Sequence, residues 1–332
     1  MIELSRRAGI VDVAKKAGVS IATVSRVFNN TSYVSEDLVE KVIAAASSLG
    51  YKPNRVAQSL RKGRSRTIGF LVPDIVNPFF SSIVEGANRI LYDTDYVSVV
   101  CSSSGDAERE GGLLETLYSS GIDGLVTVLL KEYDRHIDYV RLRGVPVVIV
   151  DDVVEEKKLS CVASDNYDGM KRLVEFLLNT GHKTFTFLGG SPETYSGKQR
   201  MKAFLDALKG KPGVRTEVIS GEYTFESGFR MTDLLRKIPQ AVVCGNDLIA
   251  FGAIYRLKEK GFDIPGDVSV TGFDDVVFSK MSDPPLTTAR QDPYLMGEVA
   301  AKSILEKLDG NGSDGNILLH TELVIRRSTR GR

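Results

Sequence analysis

Residues 12–30 read DVAKKAGVSIATVSRVFNN, and the spacing of their apolar positions predicts two short helices joined by a tight turn. Val13, Ala14 and Ala17 fall on one stripe and Val24, Val27 and Phe28 on another. Gly18 and Val19 sit between the stripes, where the backbone must turn sharply. Ser20 is placed to cap the second helix, its hydroxyl reaching an N–H one turn further on. The outward positions of that helix carry Ile21, Ala22, Ser25 and Arg26, short or hydrogen-bonding groups that let a backbone approach a DNA groove. A third helix is expected from Glu36 to Leu49, capped by Ser35 and stopped by Gly50, burying Leu38, Val42, Ala46 and Leu49.

Charge places a polyanion at this end of the chain. Residues 1–66 hold 12 Lys or Arg against 5 Asp or Glu, a net of +7, while the remainder is −7, so the overall neutrality is a cancellation. Between Gly50 and Arg66 the chain is polar and basic, yet Val56, Ala57 and Leu60 fall at i, i+1 and i+4 within PNRVAQSLRKG (53–63). That spacing fits a short helix that needs a partner to persist.

From Thr67 onward, apolar runs such as TIGFLVP, YVSVVCS, DGLVTVL, VPVVIVD, TFTFLGG, QAVVCGN and VSVTGFD alternate with amphipathic segments. Alternation of this kind marks a parallel, doubly wound sheet, and seven or more units exceed one sheet. The expected fold is therefore α/β: an all-α helix-turn-helix headpiece followed by two Rossmann-like lobes. Open parallel sheets place ligand contacts just beyond the C-terminal ends of strands. Asn77 and Phe79 lie in the loop after the first strand. Asp151, Asn246, Asp247 and Asp274 end later strands, Arg200 is read as opening a helix, and Tyr223 as an aromatic wall. Carboxylates, amides and a guanidinium around an aromatic face suit a polyhydroxylated ligand, whose hydroxyls both donate and accept. Asp247 has a second reading, as the cap of a helix starting at Leu248.

The run DVAKKAGVSIATVSRVFNN, with VSEDL, LGYKPNRVAQSLRKG, IGFLVPDI, TGHKTFTFLGG, VVCGNDLIAFGAI, IPGDVSVTGFDD, PPLTTARQD and LVIRRST following in order, resembles the lactose-repressor and galactose-repressor (LacI/GalR) family of bacterial regulators. That resemblance covers nearly the whole chain. It implies a periplasmic-binding-protein-type body, a headpiece over 1–52, a hinge over 53–66 and an effector and dimerisation domain over 67–330. Within the last, one lobe would span 67–163 with 295–323, and the other 164–294 with 324–330. The headpiece contacts it implies are Ser20, Ile21, Ala22, Thr23, Ser25, Arg26, Asn29 and Ser35, with Asn54, Arg55, Val56, Ala57 and Leu60 in the hinge, where Leu60 would wedge into the minor groove. Asn77, Asp151, Arg200, Tyr223, Asn246, Asp274 and Gln291 match effector-contacting positions. The apolar pair Ile21-Ala22 departs from relatives with polar residues there, which affects the outer bases of the half-site. The partners implied are near-palindromic operator DNA, a second copy of the chain and a small effector, a sugar by preference. A corepressor or a phosphoprotein partner is the alternative form of control.

Other classes fit less well. LVTVLL and VPVVIV stop at six residues, far short of the ~20 needed to span a membrane. MIELSRRAGIVD has no signal-peptide pattern, which points to the cytoplasm and away from a periplasmic solute-binding protein, the rival two-lobed class. The sequence after LVIRRST carries no leucine heptads, so a homodimer is expected. No strand leads into GxGxxG, GSPETYSGKQR lacks phosphate-loop spacing, and His136, His182 and His320 have no metal or triad neighbours in sequence. Neither enzymatic activity nor a cofactor is expected. Cys101, Cys161 and Cys244 read as small thiols in apolar strands.

Overall fold

The computed structural model describes residues 8–29, 32–52, 64–128, 135–154 and 159–330. The chain divides into two compact units between Ser65 and Arg66.

The first unit holds α1 (Ile10–Ala17), α2 (Ile21–Asn29) and α3 (Glu36–Ser48). Asp12 closes the start of α1 by accepting the Gly9 N–H at 2.8 Å. Gly18 ends it in the left-handed region at φ 69°, a conformation that suits glycine because it has no Cβ. Val19 N–H then reaches back to the Ala14 carbonyl at 3.1 Å, which turns the chain into α2. Val13, Ala14, Val24, Val42, Ala45 and Ala46 form the core, and the Phe28 and Tyr51 rings pack with centroids 5.7 Å apart. Leu38 and Leu49 are half-buried, whereas Ala45, which the sequence reading left out, is buried. Ser35 occupies the N-cap position of α3 without the expected side-chain bond. Glu36 and Asp37 instead place negative charge in that first turn, against the helix dipole.

In the second unit, lobe one contains β1 (Thr67–Val72), α4 (Pro78–Leu91), β2 (Val97–Ser102), α5 (Ala107–Ser119), β3 (Gly124–Thr127), α6 (Arg135–Arg141), β4 (Val147–Val150) and β5 (Ser160–Ser164). Lobe two contains α7 (Asn166–Asn179), β6 (Thr184–Gly189), α8 (Tyr195–Leu208), β7 (Arg215–Ser220), α9 (Phe225–Asp233), β8 (Ala241–Cys244), α10 (Asp247–Glu259), β9 (Ser269–Asp274) and β10 (Thr287–Arg290). The chain then returns to lobe one for α11 (Pro293–Leu308) and β11 (Asn316–Leu319), and ends in lobe two with β12 (Glu322–Val324). Strand orders are β11-β5-β4-β3-β1-β2 and β12-β10-β9-β8-β6-β7, parallel except for β12 against β10.

Two details differ from the expected boundaries. Glu322 and Leu323 pair with Arg290 and Ala289, so the final crossing falls before Glu322 and not at 323. The return to lobe one, expected at 295, begins with α11 at Pro293, because Asp292 caps that helix by accepting the Leu295 N–H at 2.9 Å and proline suits the first helical position. Strands β5, β7, β10 and β11 lacked the long apolar runs that reveal a strand. Two of them, β7 and β11, are sheet edges, and β10 (TTAR) buries threonines in place of aliphatic residues.

Each sheet is covered on both faces. Phe70, Ile83, Ala87, Met296 and Ile304 pack between sheet one and helices α4 and α11, and Leu71, Leu114, Leu117, Leu125 and Ile149 fill the opposite face. Phe185, Phe187, Leu173 and Phe204 back one side of sheet two, and Val242, Ile249, Ala253 and Leu257 the other. Each of the larger side chains among them contributes about 1.5–3 kcal/mol on burial. The same contact closes both lobes: a methyl at Gly86 or Gly297 would fall on a carbonyl of the facing helix, as would one at Gly228 or Gly252. The cysteines are free thiols, Cys161 and Cys244 buried and Cys101 half-buried. Among the described residues no helix is long and apolar enough to cross a membrane.

Candidate functional site

Two sites emerge, one in each unit. In the first, Ser20 Oγ accepts the Thr23 N–H at 3.0 Å and lies 2.9 Å from Thr23 Oγ1, which fixes the start of α2. Ile21, Ala22 and Arg26 are exposed on its outer face, while Thr23, Ser25 and Asn29 are half-buried. The Asn29 amide donates to the Ser25 carbonyl at 2.5 Å and lies 3.1 Å from Ser25 Oγ, so Asn29 reinforces the end of the helix. No carboxylate lies between Ser20 and Asn29, which leaves this face free of charge that would repel phosphate. Asn54, Arg55, Val56, Ala57 and Leu60 lie outside the described residues.

The second site is a cavity of about 510 Å³ between the lobes. Lobe one contributes Asp74, Asn77, Phe80, Asp151 and Asp152, and lobe two Ser191, Glu193, Thr194, Ser196, Glu222 and Tyr223. Asn77 is buried, and its Oδ1 accepts the Phe79 N–H at 3.0 Å, which caps α4. Asp151 directly follows β4 with φ 60°, an uncommon but tolerated conformation for aspartate. Its Oδ1 is buried without a hydrogen-bond partner. Burial raises the Asp151 carboxyl to about 6, while the positive charge of Arg200 pulls it down. Tyr223 stands against Gly190, where any Cβ would meet the ring.

Behind Tyr223 lies a buried polar cluster centred on Arg200, which is 3% exposed. Its Nε donates to Asn166 Oδ1 at 2.8 Å and its Nη1 to the Gly245 carbonyl at 2.7 Å. Asp274 Oδ1 lies 3.7 Å from Nη1 and accepts from Gln291 Nε2 at 2.7 Å. The Tyr223 ring is 5.8 Å from the guanidinium carbon, within cation–π range. Burial pushes Asp274 well above the usual carboxylate range, opposed by Arg200 and reinforced by Asp247 and Asp151. Gln291 Oε1 is buried and unpaired. Gln291 stands at the β10-to-α11 crossing, so this cluster touches the hinge between lobes.

Of the eight residues expected at this site, Asn77, Asp151 and Tyr223 line the cavity, and Arg200, Asp274 and Gln291 form the cluster behind it. Phe79 does neither. It is packed in the core of lobe one, and Phe80, one position on, presents its ring to the cavity because successive helical residues are rotated by about 100°. Asn246 is 2% exposed and caps α10 by accepting the Ile249 N–H at 2.9 Å. Asp247 is therefore not the cap. It is fully buried and accepts from Val276 N at 2.9 Å, Ser279 Oγ at 2.5 Å and Thr288 Oγ1 at 2.6 Å, joining α10 to the segment after β9. Arg200 does not open its helix either: Thr194 caps α8 through the Gly197 N–H at 3.1 Å, which sets Arg200 in the second turn.

Asn166, Phe273 and the Ser191–Ser196 loop were not among the expected residues. Asn166 begins α7 just after a strand whose small, mixed residues hide it, and Phe273 reads as core until Arg200 is seen against it. The clustered hydroxyls of SPETYS were the legible signal for the loop. Elsewhere, His182 is a structural residue: its Nε2 is 2.9 Å from Ser269 Oγ and its Nδ1 2.9 Å from the Leu177 carbonyl. No group of three His, Cys, Asp or Glu among the described residues is arranged to hold a metal ion.

A helix-turn-helix unit preceding two parallel α/β lobes with a polar cleft defines a ligand-responsive DNA-binding regulator. The comparisons with known proteins agree. The family described as bacterial regulatory proteins, lacI family, matches residues 9–54, and a periplasmic binding protein-like domain matches 174–329. The chain is 34% identical to the HTH-type transcriptional repressor PurR of Actinobacillus pleuropneumoniae serotype 3 (strain JL03), over 97% of this chain and 98% of that relative. It superposes on the Lac repressor dimer bound to operator and the anti-inducer ONPF with a TM-score of 0.88, at 31% identity over 98% of this chain and 100% of that one. A LacI-family regulator from Enterococcus faecium with bound ribose gives a TM-score of 0.73, at 28% identity over 79% and 98%. The chain belongs to the LacI family of transcriptional regulators, with a DNA-binding helix-turn-helix and an effector domain.

Proposed function

We propose that this protein represses transcription as a homodimer on a near-palindromic operator, and that a sugar or sugar-like effector in the interlobe cleft sets its DNA affinity. The observation that carries this reading is the cleft itself. Asn77 and Asp151 come from one lobe and Tyr223 from the other, with Arg200, Asp274 and Gln291 beside a strand crossing between them. A ligand that bonds both walls favours one lobe arrangement over another, and any state it favours shifts DNA binding by the same free energy. Ser20, Ile21, Ala22, Thr23, Ser25, Arg26, Asn29 and Ser35 are the headpiece residues given to DNA, with Asn54, Arg55, Val56, Ala57 and Leu60 from the hinge. The solved relatives support both halves: one is described as bound to operator, another with ribose. Membership of a family of DNA-binding regulators supports placing the protein in the cytoplasm and giving it a regulatory role without catalysis.

The test is reciprocal binding. Operator sequences selected from random DNA are titrated with and without a panel of free sugars, by fluorescence anisotropy. A sugar that changes operator affinity by a factor of about 5 to 150 must have its own affinity changed by the operator by the same factor. Sugars that bind the body yet leave operator affinity unchanged would overturn the regulatory reading.

A further inference from the structure

Resting on the reading of the cleft as the effector site, the arrangement of charge around it points to a finer conclusion: we infer that the effector is cationic, a polyhydroxylated compound bearing a protonated amine that pairs with Asp151. Three observations converge. First, Asp151 lines the cavity with one carboxylate oxygen buried and without a partner, a position that demands a donor. Second, the nearby guanidinium of Arg200 is already committed. Its Nε and Nη1 donate to Asn166 and Gly245, and Asp274 lies 3.7 Å from Nη1. Asp151 and Asp274 therefore share one cation, and Asp247, also fully buried, acts on Asp274 as a further negative charge. Third, the lining from the two lobes adds the carboxylates of Asp74 and Glu222 and the rings of Phe80 and Tyr223, one of each from either wall, groups that attract an ammonium through charge and through the faces of the rings. Burial raises Asp151 and Asp274 alike, as expected of carboxylates short of positive charge. A neutral sugar supplies hydroxyl donors only, whereas an ammonium supplies donors and the missing charge, and charge-assisted bonds are roughly twice as strong as neutral ones.

Matched pairs differing only in this group test the inference: glucosamine against glucose, galactosamine against galactose and mannosamine against mannose, with glucose 6-phosphate as an anionic probe, by titration calorimetry on the full-length protein. In at least one pair the amine is expected to bind about tenfold or more tightly than its parent. Asp151→Asn, whose melting temperature reports its fold, should bring that ratio close to one. Glu222→Gln, at an exposed position, should reduce the ratio by about two- to threefold through loss of longer-range attraction. Parent sugars that bind as tightly as their amines, a preference that survives both substitutions, or tighter binding of glucose 6-phosphate would each overturn the cationic assignment while leaving the sugar-responsive reading intact. If no member of any pair binds, both readings fall.

Discussion

The guanidinium carbon of Arg200 sits 3.9 Å from the centroid of the Phe273 ring, and the next residue along the strand, Asp274, lies 3.7 Å from Nη1 of the same group. The end of β9 thus holds Arg200 by an aromatic face and a carboxylate at once. Asp274 achieves this with φ 120°, a conformation unusual for any residue with a side chain. Strain of this kind persists only where surrounding contacts hold it, here those of Arg200 and Gln291.

Replacing Arg200 by Ala is expected to destabilise the second unit by about 3–5 kcal/mol, because it leaves Asp274 and Asp151 buried without their cation. Arg200→Lys keeps the charge but not the fork that reaches both Asn166 and Gly245, so it should recover only part of the loss. Urea unfolding measures both variants, and a midpoint equal to that of the parent for Arg200→Ala would show that the cluster is not structurally coupled.

Burial pushes the Asp151 carboxyl up from an ordinary 3.8 to about 6, opposed by the charge of Arg200, with Tyr223 and Asp274 close by. A raised folded value means the native state holds the proton more tightly than the unfolded chain. Its contribution is therefore complete below about pH 4 and is lost as pH rises through 6, by up to about 3 kcal/mol. Asp151→Asn should flatten the stability curve in that window. Denaturant melts at pH 4, 5, 6 and 7 supply the comparison, and parallel curves for parent and variant would contradict it.

Gly190→Ala should act on the cleft without touching any ligand. Its methyl would fall on the Tyr223 ring and drive that ring into the cavity. Effector affinity is expected to fall at least tenfold, read by titration calorimetry. A second substitution, Tyr223→Ala, which removes the obstructing ring, should make the addition of Gly190→Ala nearly neutral.

In the headpiece, Arg26→Ala is expected to narrow the gap between operator and random DNA by about 1–3 kcal/mol if the exposed side chain reads a base. An equal loss on both DNAs would assign it to phosphate alone. Operator affinity of the parent should fall steeply with salt, about a thousand-fold or more from low to moderate ionic strength, as the basic end of the chain displaces counterions.

Helix-turn-helix, alternating strands and the class of the protein were legible because each rests on short-range chemistry. Gly18 can only be a turn residue between two apolar stripes, and strands such as TIGFLV are buried on both faces and read as continuous apolar runs. Legibility failed where one position of rotation decides the outcome. Phe79 and Phe80 are indistinguishable as letters, yet one is core and the other faces the cavity. It failed again at Ser35, where the sequence correctly marks a helix start but not which side chains satisfy it.

By itself, the sequence determined which end of this chain meets a polyanion, where helices and strands alternate, and which polar residues stand at strand ends, since all three depend on charge and on the spacing of neighbouring residues. Only the tertiary structure decided that Asp247 binds Thr288 and Ser279 rather than capping its helix, and that Arg200 is shared among Asn166, Gly245, Phe273 and Asp274. Those partners lie 32 to 74 positions apart in the chain, and a buried charge takes whichever donors and acceptors the packed sheets bring within reach of it.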